Sequence, residues 1–311
     1  MGNIKSPYFL VFVASVLFGL PAIITKMLMD SLKPVEILSF RYIFIVASFP
    51  VVTVLFGKIS MKELLRADKR ELKVYFLLSF LIVSNMMLFF QSLYYINVNK
   101  ALFLFLMNPI MALILARIFL NERITKTDIL ATLTSIAGAV MIFWKSISLS
   151  GVKGELMVLG AAILWSGYVV LNKYTANANT YRKTYWIFIF NSLLAMPLFF
   201  LLGDASSFTK ISEWQLFLLL VLSFFSTLIP YTLMSYTAKF VKSLTSSIML
   251  LLGPVTGLLL SFMVLKERPP ANVIFGGTCI LISAFISTYS VEKIFTASKK
   301  FAKRITAAFG Y

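Results

Sequence analysis

The sequence predicts an all-α membrane protein, ten transmembrane helices arranged as two inverted five-helix repeats. Three observations predict it. The 311-residue chain is 59% hydrophobic and 13% charged, with mean hydropathy +0.90. A water-soluble domain averages about 45–50% apolar and about 25% charged, so this much apolar surface cannot be hidden in one soluble core. The apolar residues also fall into ten runs of bilayer-spanning length. Finally, features of residues 1–145 recur in the same order within residues 150–290.

The composition also excludes whole classes of chemistry. Cys279 is the one cysteine, and histidine is absent. This removes disulfide frameworks, Cys-based zinc or iron–sulfur sites, His triads and most haem sites. No cofactor and no metal is expected. Lys+Arg 29 against Asp+Glu 12 gives a net charge of +17. In a soluble protein that excess points to nucleic acid; in a membrane protein it reflects cytoplasmic loops. The placement of the charges decides.

A bilayer-crossing helix needs about 20 mostly apolar residues. Such runs occupy 8–27, 35–57, 74–95, 99–120, 125–144, 155–174, 184–203, 214–237, 243–265 and 271–290. The first follows Lys5 and continues past Leu17 to Ile24 with no small-residue cleavage site, so it reads as an uncleaved span. The stretch 74–120 is broken only by Asn97, Asn99 and Lys100, and 214–265 only by Lys239 and Lys242. Each is too long for one crossing and reads as a tight helical hairpin.

With the N-terminus in the cytoplasm, the inner loops and tail hold twenty basic residues, in clusters such as Lys58–Lys73, Arg117–Lys126, Lys173–Lys183 and Lys239–Lys242. The outer side holds eight, and Arg41 lies within a span. That asymmetry places both termini inside a multi-pass protein of the cell (plasma) membrane. Because the charges are dispersed among membrane-flanking loops, no nucleic-acid partner is expected. The tail, residues 291–311, carries Lys293, Lys299, Lys300, Lys303 and Arg304. A basic helix lying on anionic lipid and a merely solvated tail both fit it.

The repeat is read from four matches. Asn108-Pro109 through Glu122-Arg123 matches Gly253-Pro254 through Glu267-Arg268 at a shift of 145. Phe18 with Lys26 matches Trp165 with Lys173 at 147; Pro50 matches Pro197 at 147; Ala139 stands opposite Ala284 at 145. Each half has five spans. Five is odd, so the second half enters the bilayer from the opposite face. Inverted repeats are a transporter signature, with the substrate site near the midplane between halves.

These residues resemble the drug/metabolite transporter superfamily, in its EamA-type branch. The aromatic-x7-lysine ends of spans one and six, Arg41 after Pro34, and the proline spans ending in Glu122-Arg123 and Glu267-Arg268 carry the resemblance over residues 7–290. Two departures stand out: Phe18-Gly19 where the family more usually has tryptophan, and Phe188 at the position related to Arg41. The resemblance implies alternating-access export or exchange of small metabolites such as amino acids or amines. The partners expected are that solute and the lipid bilayer, for a monomer or a homodimer.

The candidate substrate-binding residues are Phe18, Arg41, Asn85, Gln91, Asn108, Trp165, Tyr168, Asn191 and Tyr231. An intramembrane charge marks function by default, and the Arg41 guanidinium suits a substrate carboxylate. Snorkelling to the headgroups, or pairing with Glu36, also fits it. The amides and aromatics either join helices or line a mixed pocket, because an unpaired amide in hydrocarbon is costly. Gating or repeat-structural roles fall to Lys26, Lys173, Pro109, Pro254, Gly253 and Gly257. The prolines free backbone carbonyls, and the small residues permit close helix contact. A rival class, a membrane-embedded enzyme acting on lipids, needs acid–base groups inside the bilayer. Only Glu36, near an interface, approaches that, so no catalytic residue is expected.

Orientation is testable with single cysteines after replacement of Cys279. An impermeant thiol reagent on intact cells should label position 210 and spare positions 66 and 300. The opposite pattern overturns the orientation.

Overall fold

The computed structural model describes residues 7–29, 31–55, 59–92, 95–96, 104–106, 108–143, 152–253, 255–256, 271–272 and 274–287. All regular elements among these residues are helical. The side chain of Lys26, residues Pro254 and Gly257, the Glu267-Arg268 pair and the tail 291–311 lie outside the described residues.

The first apolar run forms two helices, α1 (Pro7–Leu17) and α2 (Leu20–Leu28), separated by a turn at Phe18-Gly19. Pro21, in the first turn of α2, has no N–H to donate back to α1, so the helix restarts there. Next come α3 (Pro34–Leu55), the short α4 (Met61–Leu65) and α5 (Lys69–Ser92). Helix α6 (Asn108–Leu120) stops where Asn121 turns left-handed, with φ 52°, and Glu122 N–H bonds back to Ala116 O at 3.2 Å. That is the closure asparagine supplies at helix C-termini. Then follow α7 (Lys126–Phe143), α8 (Val152–Tyr174) and α9 (Thr180–Leu202), the last capped by the Asn179 side chain.

The eighth run is continuous but not uniform. Helix α10 (Glu213–Ser223) passes through a π-helical turn, Phe224–Leu228, into α11 (Ile229–Thr237). Pro230 lies just beyond the turn and cannot close an ordinary helical bond. The ladder instead reaches one residue further, Ile229 N–H bonding Phe224 O. Helix α12 (Ser243–Leu250) and α13 (Ile274–Ser287) complete the described fold.

Among the described residues, five segments are long and apolar enough to cross a membrane: Pro34–Val51, Lys69–Ser92, Val152–Tyr174, Thr180–Leu202 and Glu213–Thr237. Their outer faces fit lipid and not water; Phe200 and Leu201, for example, are 73% and 77% exposed. The main core joins α3, α5, α8, α9 and α11, while a second core joins α1, α7, α12 and α13.

Contacts fix relative directions. Ser39 bonds Ala195 O, Tyr42 stacks near Phe188 and Phe49 on Tyr185, so α3 and α9 run antiparallel. Asn272 bonds Met141 O while Gly138 meets Gly276 and Cys279, so α7 and α13 are antiparallel as well. Helices α5 and α9 start together, joined by a Glu71–Arg182 ion pair at 2.7 Å.

The ends of the helices gather the basic clusters on one face. Glu122 Oε1 accepts Ser243 N–H and Oγ–H at 3.2 Å, and Lys242 Nζ stands 3.4 Å from Asp128. The fully buried Lys183 donates to Asn172 Oδ1 at 2.9 Å, closing the end of α8 onto the start of α9. On the opposite face, Glu36 accepts the N–H groups of Lys33 and Asp204, each at 2.8 Å. There the exposed Asp204 carboxyl is held below its usual range, chiefly by the Ser206 N–H.

Gly138 is the tightest helix contact between α7 and α13. A Cβ there would stand 2.6 Å from Gly276 O and 2.9 Å from Cys279 Cβ. Gly138→Val should therefore destabilise the detergent-purified protein by about 1–3 kcal/mol, the range for overpacking. Gly160→Ala, which meets only the Leu88 Cδ1 tip at 3.3 Å, should melt close to the parent. Equal melting of the two variants refutes this contact.

Candidate functional site

The breaks in the helices assemble the site. The α1–α2 turn places Phe18 against Trp165 of α8 and Tyr231 of α11, with ring centroids 6.0 Å and 5.3 Å away. Tyr231 follows the π-helical turn and Pro230 directly. Trp165 lies 5.3 Å from Tyr168, and Tyr168 lies 5.7 Å from Tyr231. Phe188 of α9 adds a ring 5.9 Å from Tyr231 and 6.2 Å from Tyr42 of α3. Edge-on and tilted rings at these separations are favourable aromatic packing. The cluster draws on both halves of the chain and is largely shielded from solvent: Tyr42, Tyr168 and Phe188 are fully buried and Trp165 is 8% exposed, while Phe18 is partly exposed.

Arg41 stands beside this cluster, buried at 5% exposure. Its guanidinium donates to Met86 Sδ at 3.0 Å and lies 5.1 Å above the Tyr42 ring. A thioether is a weak acceptor. Arg41 Nε has no hydrogen-bond partner, and no carboxylate among the described residues lies within 4 Å of the side chain. The pairing with Glu36 that the sequence allows is not made, because both Glu36 oxygens accept backbone N–H groups. Snorkelling is not seen either; the charge stays inside the protein.

Other buried polar atoms are also unpartnered. The Tyr168 and Tyr231 hydroxyls, the Asn108 Oδ1 and both amide atoms of Asn191 are buried without hydrogen bonds. Tyr231 lies within electrostatic reach of Tyr42, Tyr168 and Arg41. Asn191 falls between Phe188 and Ala195, on the face of α9 that packs against α3. A buried polar group left unpaired costs about 1–3 kcal/mol. The Tyr231 hydroxyl, within electrostatic reach of Arg41, is such a group and a candidate contact for a ligand.

The remaining candidates lie elsewhere. Asn85 donates to Ala161 O at 2.7 Å and joins α5 to α8. Gln91 is exposed at the end of α5, away from the cluster. Pro109 is buried beside Asn108, whose carbonyl accepts the Ser166 hydroxyl. Gly253 packs on α1, where a Cβ would meet Ser15 O at 3.2 Å. Lys173, half-buried at the end of α8, lies within electrostatic reach of Glu122. Sequence reasoning missed Tyr42 and Met86. Each adjoins a residue it did single out, Arg41 or Asn85, and that adjacency was the available signal.

Comparison with known proteins agrees with this architecture. The EamA-like transporter family matches the chain twice, over residues 5–144 and 152–289. An uncharacterized transporter of Clostridium kluyveri is 23% identical over 97% of this chain and 99% of its own length. Protein RarD of Salmonella typhi is 25% identical over 85% of this chain and 88% of its own. A solved crystal structure superposes with TM-score 0.80 at 15% identity, covering 94% of this chain and 99% of that one, which is a likeness of fold. With nearly its whole length matched in two successive copies, this multi-pass membrane protein belongs to the EamA-like transporter family.

Proposed function

We propose that the chain is a secondary transporter, an exporter or exchanger, moving small carboxylate-bearing metabolites by alternating access of two inverted five-helix halves. The observation that carries this reading is the buried Arg41, unpaired by any carboxylate among the described residues and set beside an aromatic cluster drawn from both halves. The antiparallel courses of α3 against α9 and of α7 against α13 support inversion, since each pair holds corresponding spans of the two repeats. The arrangement we favour is ten crossings in the plasma membrane with both termini inside, the halves being 1–145 and 150–290. The gathering of Glu71–Arg182, Lys183, Glu122 and Asp128–Lys242 on one face supports that sidedness.

In this mechanism the substrate carboxylate takes two N–H donors of Arg41, in place of the Met86 sulfur. The Tyr168 and Tyr231 hydroxyls and the Asn191 amide complete its polar contacts, and Phe18, Trp165 and Phe188 enclose the apolar remainder. Occupation relieves the unpaired charge, so the closed conformer is favoured when loaded. The two faces then open in turn, the inner one by release of Glu122 from Ser243 and of Asp128 from Lys242. Substrate exchange or facilitated diffusion fits the site better than proton coupling. Proton carriers place an acid or histidine on the pathway, and Glu36, the one acid near Arg41 in sequence, holds two backbone N–H groups instead. The same scarcity of acid–base groups disfavours a lipid-processing enzyme.

Charge-assisted hydrogen bonds contribute about 1.5–3 kcal/mol, equivalent to roughly ten- to hundredfold in affinity. Arg41→Gln should lower substrate exchange in proteoliposomes by that factor, and Arg41→Lys by less, with normal expression and melting. Full exchange by both variants removes Arg41 from the site. Liposomes given only a pH gradient should equilibrate substrate without accumulating it. Protonophore-sensitive accumulation, lost again in Glu36→Gln, overturns the uncoupled mechanism and makes Glu36 its coupling site.

A further inference from the structure

The charge balance of the closed site says more about its ligand than the presence of a carboxylate. Arg41 is a permanent cation, buried and lacking a carboxylate partner among the described residues. The described acidic side chains are engaged or exposed at helix ends. Glu36 is taken by Lys33 and Asp204, Glu71 by Arg182, Glu122 by Ser243, and Asp128 by Thr125 and Lys242. Glu63 caps α4, and Asp68 caps the start of α5. None is left to balance a second positive charge at the centre.

The repeat-related position offers no compensation. Phe188 stands on α9 where the first half has Arg41, so the duplicated scaffold presents one guanidinium on one wall and a ring on the other. Three ligand charge states can then be compared. A monoanion leaves the occluded complex neutral. A zwitterion leaves it at +1, with its own ammonium brought near a guanidinium. An amine leaves it at +2. Transfer of uncompensated charge out of water is strongly unfavourable, and cation–π contact with the rings returns only about a tenth of a typical desolvation cost, being on the order of 1 kcal/mol against roughly 10.

We infer that this site selects organic monoanions, an apolar or aromatic body bearing one carboxylate and no ammonium, over the corresponding amino acids and amines. The inference rests on the proposed site at Arg41 and narrows its substrate class. The aromatic wall favours a planar body. The orphaned Tyr168 and Tyr231 hydroxyls and the Asn191 amide serve as hydrogen-bond donors to the carboxylate oxygens not held by Arg41.

A matched set separates the charge states at nearly constant shape: 3-phenylpropionate, phenylalanine, phenethylamine and 2-phenylethanol. Binding is read as the ligand-dependent rise in melting temperature of the full-length protein in detergent, titrated at fixed pH and ionic strength. 3-Phenylpropionate should bind at least tenfold more tightly than phenylalanine, and phenethylamine should produce no shift at the highest concentration used. In Arg41→Lys the order should persist at weaker affinity. In Arg41→Gln the acid should lose its advantage over 2-phenylethanol. Phenylalanine or phenethylamine binding as tightly as the acid overturns the proposal, and so does an acid that fails to bind. If Arg41→Gln does not fold, the order measured in the parent and in Arg41→Lys still decides. Transport is scored separately. Binding of the acid without its exchange across liposomes sinks the transport reading alone, and exchange of amines but not acids sinks the selectivity alone.

Discussion

Hydrocarbon offers a buried polar group no hydrogen bond, and the rest of the structure follows from that constraint. Most hydroxyls in the spans satisfy it locally by bonding a carbonyl one turn back, as Ser15 does to Val11, Ser79 to Tyr75 and Ser223 to Leu219. Others use it to join helices. Asn85 reaches Ala161, Ser39 reaches Ala195 and Asn172 reaches Met234. Against that background the unsatisfied atoms carry information. Several belong to α9 alone, at Thr184, Trp186 and Ser192. The set formed by Arg41, Tyr168 and Tyr231 differs because it combines a fixed charge with aromatic rings supplied by both halves.

The two ends of the molecule are closed by different chemistry. At the end that gathers the basic clusters, the halves meet through side chains: Glu122 on Ser243 and Asp128 on Lys242. Lys242 is partly exposed, whereas Asp128 is only 2% exposed and also accepts the Thr125 N–H and Oγ–H. At the other end Glu36 is only 2% exposed and binds two backbone N–H groups, one from each half. At each end the buried carboxylate keeps a donor from its own half, Thr125 for Asp128 and Lys33 for Glu36, and only the bond to the other half has to break when that end opens.

Much of the frame was legible in the sequence because length and hydropathy act on whole segments. The runs at 35–57, 74–95, 155–174 and 184–203 correspond to α3, α5, α8 and α9. Interruptions were less legible. Hydropathy passes smoothly through Phe18-Gly19 and through Phe224–Leu228, so both read as unbroken helix, although Pro21 and Pro230 mark them in hindsight. Side-chain partners were legible only as possibilities. Asn85 and Gln91 look alike in sequence, six residues apart on α5, yet one is buried between helices and the other exposed. Glu36 and Arg41 are close along α3, but Glu36 is drawn to the helix start by the free N–H groups there. The local sequence gives no indication that a loop 168 residues away supplies the second donor.

Duplication and divergence act on different parts of this site. The repeat supplies a symmetric frame: Pro50 and Pro197 lie inside corresponding helices, and Ala139 and Ala284 lie in one core where α7 meets α13. A symmetric pair of arginines at positions 41 and 188 would bury two cations where α3 packs on α9, and their repulsion would oppose that packing. Phe188 removes one of them and leaves a ring that packs against Tyr42 and Tyr231. The halves can then close around a single charge, and the centre acquires a polar wall and an apolar wall. A ligand bound here as proposed would be oriented by that difference, because its charged group has only one place to go.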